Sequence, residues 1–188
     1  MLINDQISNG EIILRQIEIS DCTPSYVSWL NDPIINQYLE TRWSEQNLAS
    51  IQSFVQSQRE SDNSILFAIT LANDGRHIGN IKLGPINNHH RHADVSYFIG
   101  DKTMWGKGIA TKAINLVCGY GFRDIKLHRI EAGTYAKAVG SQRALEKNGF
   151  IKEAVFRKQV ITNSGYEDVY RYGLLSDEYK ILQSEVKK

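Results

Sequence analysis

The spacing of apolar residues along the chain predicts two kinds of structural element. Residues 64–71 and 76–83 are rich in apolar side chains and flank the turn Asn73-Asp74-Gly75, which predicts a β-hairpin. Apolar runs, continuous or alternating, predict five more strands, at 12–18, 93–100, 128–135, 150–161 and 166–175. The pattern therefore predicts a sheet of about seven strands.

Apolar residues spaced three and four positions apart predict helices between these strands. Residues 108–122 form the longest such segment, and its inner side carries Ala110, Ala113, Ile114 and Val117. The other predicted helices are two short ones after Thr23-Pro24 and Asp32-Pro33, one capped by Ser44 with an apolar face of Leu48, Ile51, Phe54 and Val55, and one over 140–148 that ends at Gly149.

The order of these elements predicts the fold class. Strands and helices alternate in the second half of the chain, whereas hairpins dominate the first half, so we expect an α/β (α+β) fold with a mixed, mostly antiparallel sheet and helices on both faces. The length of 188 residues suits a single domain over 1–188, with a core at about 12–176. No internal repeat or long linker divides the sequence.

Charge and composition exclude several classes of protein. The 22 Lys and Arg residues against 21 Asp and Glu residues give a net charge of +1, which is unlike the basic surface of a nucleic-acid binder. No stretch approaches the ~18 apolar residues of a membrane span. Cys22 and Cys118 form neither a zinc pattern nor a disulfide framework. We therefore expect a cytoplasmic protein with reduced thiols and neither a nucleic-acid nor a membrane partner.

The segment that follows strand 93–100 is the first candidate for chemistry. The turn Gly106-Lys107-Gly108 leads into the predicted helix, and free N–H groups at a helix N-terminus favour an anion. The spacing matches neither the P-loop, G-x-x-x-x-G-K-[ST], nor the dinucleotide fingerprint, G-x-G-x-x-G. From these residues alone, an anion site and an ordinary strand-to-helix turn both remain open.

A second motif lies about 30 residues further along, where residues 140–150 read G-S-Q-R-A-L-E-K-N-G-F. Together with Gly108-Ile109-Ala110, it resembles the GNAT family of acyl-CoA-dependent N-acetyltransferases, whose motifs read [R/Q]-x-x-G-x-[G/A] and commonly N-x-x-S-x-x-x-x-E-K-x-G-F. Segments 105–111, 29–33 and 166–170 are similar to the RimJ/RimL-like branch of that family. The resemblance covers about residues 12–176.

The resemblance implies a splayed sheet with acetyl-CoA between two strands that part. It implies that the pyrophosphate lies on backbone N–H groups at the helix start and that pantetheine pairs with a strand end as an added strand. The cofactor-binding residues that it implies are Phe98, Ile99, Gly100, Gly106, Lys107, Gly108, Ile109, Ala110, Thr111 and Ser141. The implied activity is transfer of an acetyl group from acetyl-CoA, as cosubstrate, to a primary amine.

The sequence departs from the family pattern at two positions. Ala138 stands where the second motif commonly has Asn, and Leu145 stands where a tyrosine often acts as general acid. Ser141 is the nearest replacement, so we expect it to be catalytic; the alternative is that it only caps the following helix. Tyr97 and Tyr135 are the other phenols near strand ends. These departures also leave open an acyl-CoA-binding regulatory module without turnover.

The acceptor side is predicted from the helical entry region. We expect Glu40, Arg42 and Trp43 to contact the acceptor, which is a small-molecule amine, an amino sugar, a polyamine or a peptide N-terminus. The amine must be neutral to attack; the candidate bases are Glu40, Asp94, Glu131 and Asp168, and direct attack without a base is the alternative.

We expect no metal, because the cluster His89-His90-Arg91-His92 lacks both a partnered cysteine and the H-E-x-x-H spacing. We expect a monomer or a homodimer.

Overall fold

The computed structural model describes residues 6–185, and their strands form one eight-stranded sheet. The strands are β1 (Ile7–Ser8), β2 (Ile12–Gln16), β3 (Ile65–Leu71), β4 (His77–Asn87), β5 (His92–Ile99), β6 (Arg129–Tyr135), β7 (Ile151–Thr162) and β8 (Gly165–Leu175). The helices are α1 (Pro24–Asn31), α2 (Pro33–Asn36), α3 (Leu48–Glu60), α4 (Ile109–Arg123), α5 (Val139–Glu146) and α6 (Ser176–Glu185), with short 3-10 turns at Ile19–Asp21, Glu40–Trp43 and Lys102–Met104.

The sheet has the order β1-β2-β3-β4-β5-β6-β8-β7. Every neighbouring pair is antiparallel except β5 and β6. The predicted mixed, mostly antiparallel sheet is therefore confirmed, with eight strands in place of about seven because the two-residue β1 is too short to give a pattern. The one parallel junction, in the middle of the sheet, requires a crossover, and α4 supplies it.

Helices cover both faces of the sheet, as predicted. Phe67 in β3 points into a core shared with α4, α5 and α6, whereas its neighbours Leu66 and Ala68 point into a second core shared with α1 and α3. This division arises because successive side chains of a β-strand point to opposite faces of the sheet. We call the α4 side the first face of the sheet and the α1–α3 side the second face.

The apolar stripe predicted for α3 is only half correct. Ile51 and Val55 are fully buried, but Leu48 and Phe54 are 45% and 43% exposed. Residues 51 and 55 are four positions apart and form one narrow row toward the sheet, whereas the other two lie off that row.

The structure confirms two of the predicted helix caps and corrects a third. Thr23 accepts a hydrogen bond from the backbone N–H of Tyr26, and Asp32 accepts one from Ile34. Ser44 does not cap α3; Asn47 does, in a reciprocal pair with Ser50. The cap lies three residues later because the chain first makes the 3-10 turn at Glu40–Trp43.

Helix α6 is an element that the apolar pattern does not predict. It begins directly after β8 and packs Tyr179 against Phe122 of α4, with ring centroids 5.1 Å apart. Its remaining side chains are mostly polar, so it lacks a clear apolar stripe. Both cysteines are buried and unpaired, and none of the helices among residues 6–185 is long and apolar enough to cross a membrane.

Candidate active site

The central feature of the site is a split between β5 and β6. The two strands are paired only at three positions, His92 with Arg129, Ala93 with Ile130 and Asp94 with Glu131. Beyond Asp94, β5 continues along β4 and β6 continues along β8, so the two strands part. The split is thus a wedge in the middle of the sheet, open toward the C-terminal ends of both strands.

The N-terminus of α4 lies just past the end of β5. Gly108 is its N-cap with φ +74°, in the left-handed region, and its carbonyl accepts the first helical bond, from Lys112 at 3.0 Å. The N–H groups of the three residues before Lys112 therefore have no partner within the helix. A Cβ built on Gly106 or Gly108 would meet nothing within 4 Å, so the space outside this turn is open.

This turn fits a pyrophosphate. Unpaired N–H groups, a positive helix end and a backbone free of side chains are what a phosphate site at a helix N-terminus requires. Lys107 is exposed, and its ammonium lies 4.0 Å from the Met104 sulfur. The residues that the sequence predicts for the cofactor, from Gly106 to Thr111, are thus brought together at one accessible helix end.

The edge of β5 that faces the split carries backbone groups that β4 does not use. The N–H of Gly100 donates to the Ile78 carbonyl at 2.9 Å, so it faces β4 and is not free to pair with pantetheine, contrary to expectation. In an antiparallel pair, the backbone N–H and C=O groups of successive residues point alternately toward and away from the neighbouring strand. Those of Ile99 and Tyr97 therefore point away from β4, toward the split. The Ile99 carbonyl accepts a bond from the Trp105 indole at 2.8 Å.

Trp29 fixes the end of β5 from the second face. A Cβ added to Gly100 would lie 2.1 Å from the Trp29 ring, so only glycine allows this contact. The same ring packs edge-on against Phe98 and against His77, at centroid distances of 6.4 and 5.2 Å. Phe98 was predicted to bind the cofactor, but its side chain packs against the core of the second face.

Ser141 and Tyr97 meet across the split. The Tyr97 hydroxyl lies 2.8 Å from the Ser141 Oγ and 3.2 Å from the Ser141 carbonyl. Burial raises the pKa of Tyr97 to about 12, so its phenol keeps its proton at neutral pH. Ser141 is not the cap of α5, since the N-cap is Ala138. The alternative role of Ser141 as a helix cap is therefore wrong, and its hydroxyl is held by a phenol at the wedge.

Asn148 joins the two motifs. Its buried side-chain amide donates to the Thr111 carbonyl at 3.0 Å and to the Ala144 carbonyl at 2.8 Å. The end of α5 is thereby fixed against the first turn of α4. The sequence pattern placed Asn148 at the end of the predicted helix over 140–148 and did not predict its bond to α4.

Two carboxylates lie side by side on the second face where the strands part. Asp94 and Glu131 are directly opposite each other, and the Arg171 guanidinium bridges them at 2.8 and 3.0 Å. Arg129 also binds Glu131, at 2.7 Å. Burial alone would raise the pKa of Glu131, but the hydrogen bonds from these two arginines lower it. Glu131 is thus a structural anion, whereas Asp94 is 40% exposed and has one ion-pair partner among residues 6–182.

The three residues predicted to contact the acceptor cluster at the wide end of the wedge, on the second face. Glu40 accepts a hydrogen bond from the Tyr135 hydroxyl at the end of β6 and another from the Trp43 indole at 3.2 Å. The Arg42 guanidinium lies over the rings of Trp43 and Tyr135, at 4.4 and 5.1 Å. Tyr38 packs edge-on against Tyr135. A carboxylate among aromatic rings can hold a small organic cation.

Asp168, the fourth candidate base, has a structural contact. Its carboxylate accepts the backbone N–H of Lys158, which has φ +50°, at 2.8 Å. This bond stabilises an irregular position in the β7–β8 hairpin. Among residues 6–182, no group of three or more His, Cys, Asp or Glu side chains is arranged to hold a metal.

The comparison with known families decides the identity of the fold. A family model described as an acetyltransferase (GNAT) domain matches residues 11–151, well over half of the sequence. This chain belongs to the GNAT acetyltransferase family. The family, the fold and transfer of an acetyl group to an amine are therefore confirmed as predicted.

Individual relatives of this GNAT protein agree. The probable N-acetyltransferase YjcK of Bacillus subtilis is 45% identical over 114 residues, which are 60% of this chain and 62% of that protein, less than two thirds of its length. The spermidine N(1)-acetyltransferase of Vibrio cholerae is 25% identical over 173 residues, 91% of this chain and 96% of that protein.

Solved structures show the same fold. Spermidine N-acetyltransferase from Vibrio cholerae, in complex with CoA and spermine, matches with a TM-score of 0.81 at 24% identity, over 92% of this chain and 99% of that chain. Mycobacterium smegmatis RimJ, in complex with CoA-disulfide, matches with a TM-score of 0.78 at 21% identity, over 93% of this chain and 88% of that chain. The RimJ match is consistent with the predicted RimJ/RimL-like branch.

Proposed function

We propose that this GNAT protein transfers the acetyl group of acetyl-CoA to the primary amine of a small molecule, at the wedge between β5 and β6. The observation that carries the proposal is that the open α4 N-terminus, the free edge of β5 and the Tyr97–Ser141 pair converge on this one opening. Acetyl-CoA supplies an acetyl thioester, whose carbonyl carbon a neutral amine attacks with loss of a thiolate.

The phosphate end of the cosubstrate is assigned to the turn over 106–111. Its N–H groups are fixed in place by the helix, so they bind an anion without first reorganising. Pantetheine is assigned to the β5 edge at the backbone of Tyr97 and the N–H of Ile99, where it adds a strand, since the Ile99 carbonyl is already bonded to Trp105.

Ser141 is assigned the role of hydrogen-bond donor to the departing sulfur. Tyr97, protonated and half-buried, lies 2.8 Å from the Ser141 Oγ, and either hydroxyl can donate. We assign the donation to Tyr97, an arrangement that leaves the serine proton free to point into the wedge. This pair replaces the tyrosine phenol that often stands in the family where this chain has Leu145. The Leu145 side chain is fully buried.

Asp94 is assigned the role of general base. It is the most accessible of the two carboxylates where the strands part, and Arg171 holds it in place. The amine arrives as an ammonium and must lose a proton before attack. Asp94 accepts that proton through a water molecule, while Glu131 stays fixed between two arginines.

The acceptor is assigned to the cluster of Glu40, Arg42, Trp43 and Tyr135. Tyr135, which donates to Glu40, lies four residues or about 13 Å along β6 from Glu131, so the cluster suits the far end of a small amine. The Vibrio cholerae relative acts on spermidine, a small molecule with several amines. That relative supports a small cationic acceptor over a peptide N-terminus.

Substitution of Ser141 by alanine tests the assigned donor. We expect kcat to fall about 10- to 100-fold, the value of one hydrogen bond to a developing charge, with little change in acetyl-CoA affinity. Tyr97→Phe should lower kcat by less, because it orients the serine without contacting sulfur. The measurement is thiol release at saturating acetyl-CoA, with affinity from calorimetry. Full turnover in Ser141→Ala would remove the serine from the mechanism.

Substitution of Glu40 by glutamine tests the acceptor assignment. With small monoamines, diamines and amino sugars as acceptors, we expect KM for the best amine to rise about 3- to 5-fold at unchanged kcat, as for loss of one exposed charge contact. Glu45→Gln removes a charge from the same exposed stretch and serves as control. An equal KM shift in both variants, or none in Glu40→Gln, would contradict the assignment.

A further inference from the structure

The basic side chains near the N-terminus of α4 fall into two groups. In the first, each cation is paired with an acid: Arg76 with Asp101, Lys102 with Asp32, and Lys112 with Glu11. The second group is Lys107, Arg143 and Lys147, which form no ion pair with any acid among residues 6–182. All three are exposed.

The second group lies on one side of the phosphate turn. Lys107 is the residue directly before the N-cap of α4. Lys147 precedes Asn148, whose amide binds the Thr111 carbonyl, so the end of α5 lies beside the first turn of α4. Arg143 is four positions before Lys147, about one helical turn away on the same flank of α5.

The contacts of α5 show which flank this is. Gln142 donates to the Ala136 carbonyl just past the end of β6, and Glu146 accepts from the Tyr172 hydroxyl of β8, so that flank faces the strands. At 3.6 residues per turn, Arg143 and Lys147 lie about 100° around the helix from Gln142 and Glu146, on the side away from the buried Leu145. Because Asn148 fixes the end of α5 against the first turn of α4, this exposed row lies beside the phosphate turn.

We propose that Lys107, Arg143 and Lys147 form a phosphomonoester subsite that binds the 3′-phosphate of coenzyme A; this rests on the proposed use of acetyl-CoA. The N–H groups of the α4 turn suit the pyrophosphate, whereas a 3′-phosphate is a separate group of nearly two negative charges at the adenosine end. Unpaired side-chain cations suit such a group, and Arg143 can bind it through two parallel N–H bonds. The subsite makes the protein selective for CoA over its 3′-dephospho form.

Calorimetry with CoA and 3′-dephospho-CoA tests the subsite. The unmodified protein should bind CoA about 10- to 100-fold more tightly, since one charge-assisted contact is worth about 1.5–3 kcal/mol. Arg143→Gln and Lys147→Gln should weaken CoA binding and leave 3′-dephospho-CoA binding unchanged. The affinities for the two ligands should therefore become similar in these variants. Lys180→Gln, which changes an exposed lysine on α6, should affect neither.

Three other outcomes can be told apart: two contradict the subsite, and one contradicts the proposed function. Equal affinity of the unmodified protein for both ligands would overturn it and leave the proposed function standing. Equal weakening of both ligands by Arg143→Gln and Lys147→Gln would show general attraction to anions and would also overturn it. Failure of the unmodified protein to bind both CoA and 3′-dephospho-CoA would instead overturn the proposed function.

Discussion

Gly108→Trp is expected to lower the affinity for acetyl-CoA at least about 100-fold, the value of two charge-assisted hydrogen bonds. The Cβ of residue 108 points into open space outside the α4 N-terminus, so an indole there occupies the position assigned to the pyrophosphate. A second contribution is strain, because residue 108 has φ +74° and tryptophan rarely adopts that conformation. Calorimetry with acetyl-CoA measures the loss.

Gly165→Trp separates the steric effect from the strain. Gly165 also has a positive φ, +100°, and open space around its Cβ, but it is the first residue of β8, after the β7–β8 turn. We expect it to lower stability to a similar extent and to leave acetyl-CoA affinity unchanged. Unchanged affinity in a folded Gly108→Trp protein would overturn the assignment of the phosphate turn.

Asp94→Asn is expected to lower kcat/KM for the acceptor about 100-fold or more at neutral pH, as for removal of a general base. Asparagine keeps the shape of the side chain and an oxygen for Arg171, so the change is mainly the loss of a proton acceptor. The variant then depends on the fraction of free amine already in solution. Its rate should therefore rise about tenfold per pH unit until the acceptor amine is deprotonated, with a steeper pH profile than that of the unmodified protein.

Glu131→Gln is the matched control, because it changes the carboxylate directly opposite Asp94 and contacts the same Arg171. It removes an anion that Arg129 and Arg171 hold ionised, so we expect reduced stability with a pH profile of normal slope. Equal losses of activity and parallel pH profiles in both variants would show that the arginine network, and not Asp94, sets the rate.

Local sequence patterns predicted most of the fold. The β3–β4 turn at Asn73-Asp74-Gly75 and the caps Thr23 and Asp32 depend on residues within four positions of each other, so propensity decides them. Helix α6 and the two-residue β1 were missed because packing against α4 and pairing with β2 create them. Neither leaves a periodic signal in its own residues.

In the candidate site, too, features set by neighbouring residues were predicted, whereas contacts between distant residues were not. The open turn at Gly106 and Gly108 follows from a glycine-rich strand-to-helix junction, which is visible in the sequence. The Tyr97–Ser141 contact joins residues 44 positions apart, and the Arg171–Asp94 pair joins residues 77 positions apart. Such partners depend on the register of β5, β6 and β8, which no local pattern specifies. The bond of Asn148 to Thr111 of α4 likewise joins residues 37 positions apart.

The most direct measurement of the central claim is product formation by the unmodified protein. Acetyl-CoA and a panel of small primary amines are incubated with the protein, and free thiol and acetylated amine are quantified in the same reaction. The account predicts that at least one amine yields thiol and acetylated product in equal amounts, far above the reaction without protein. Tight binding of acetyl-CoA with no thiol released above background for any amine would contradict it.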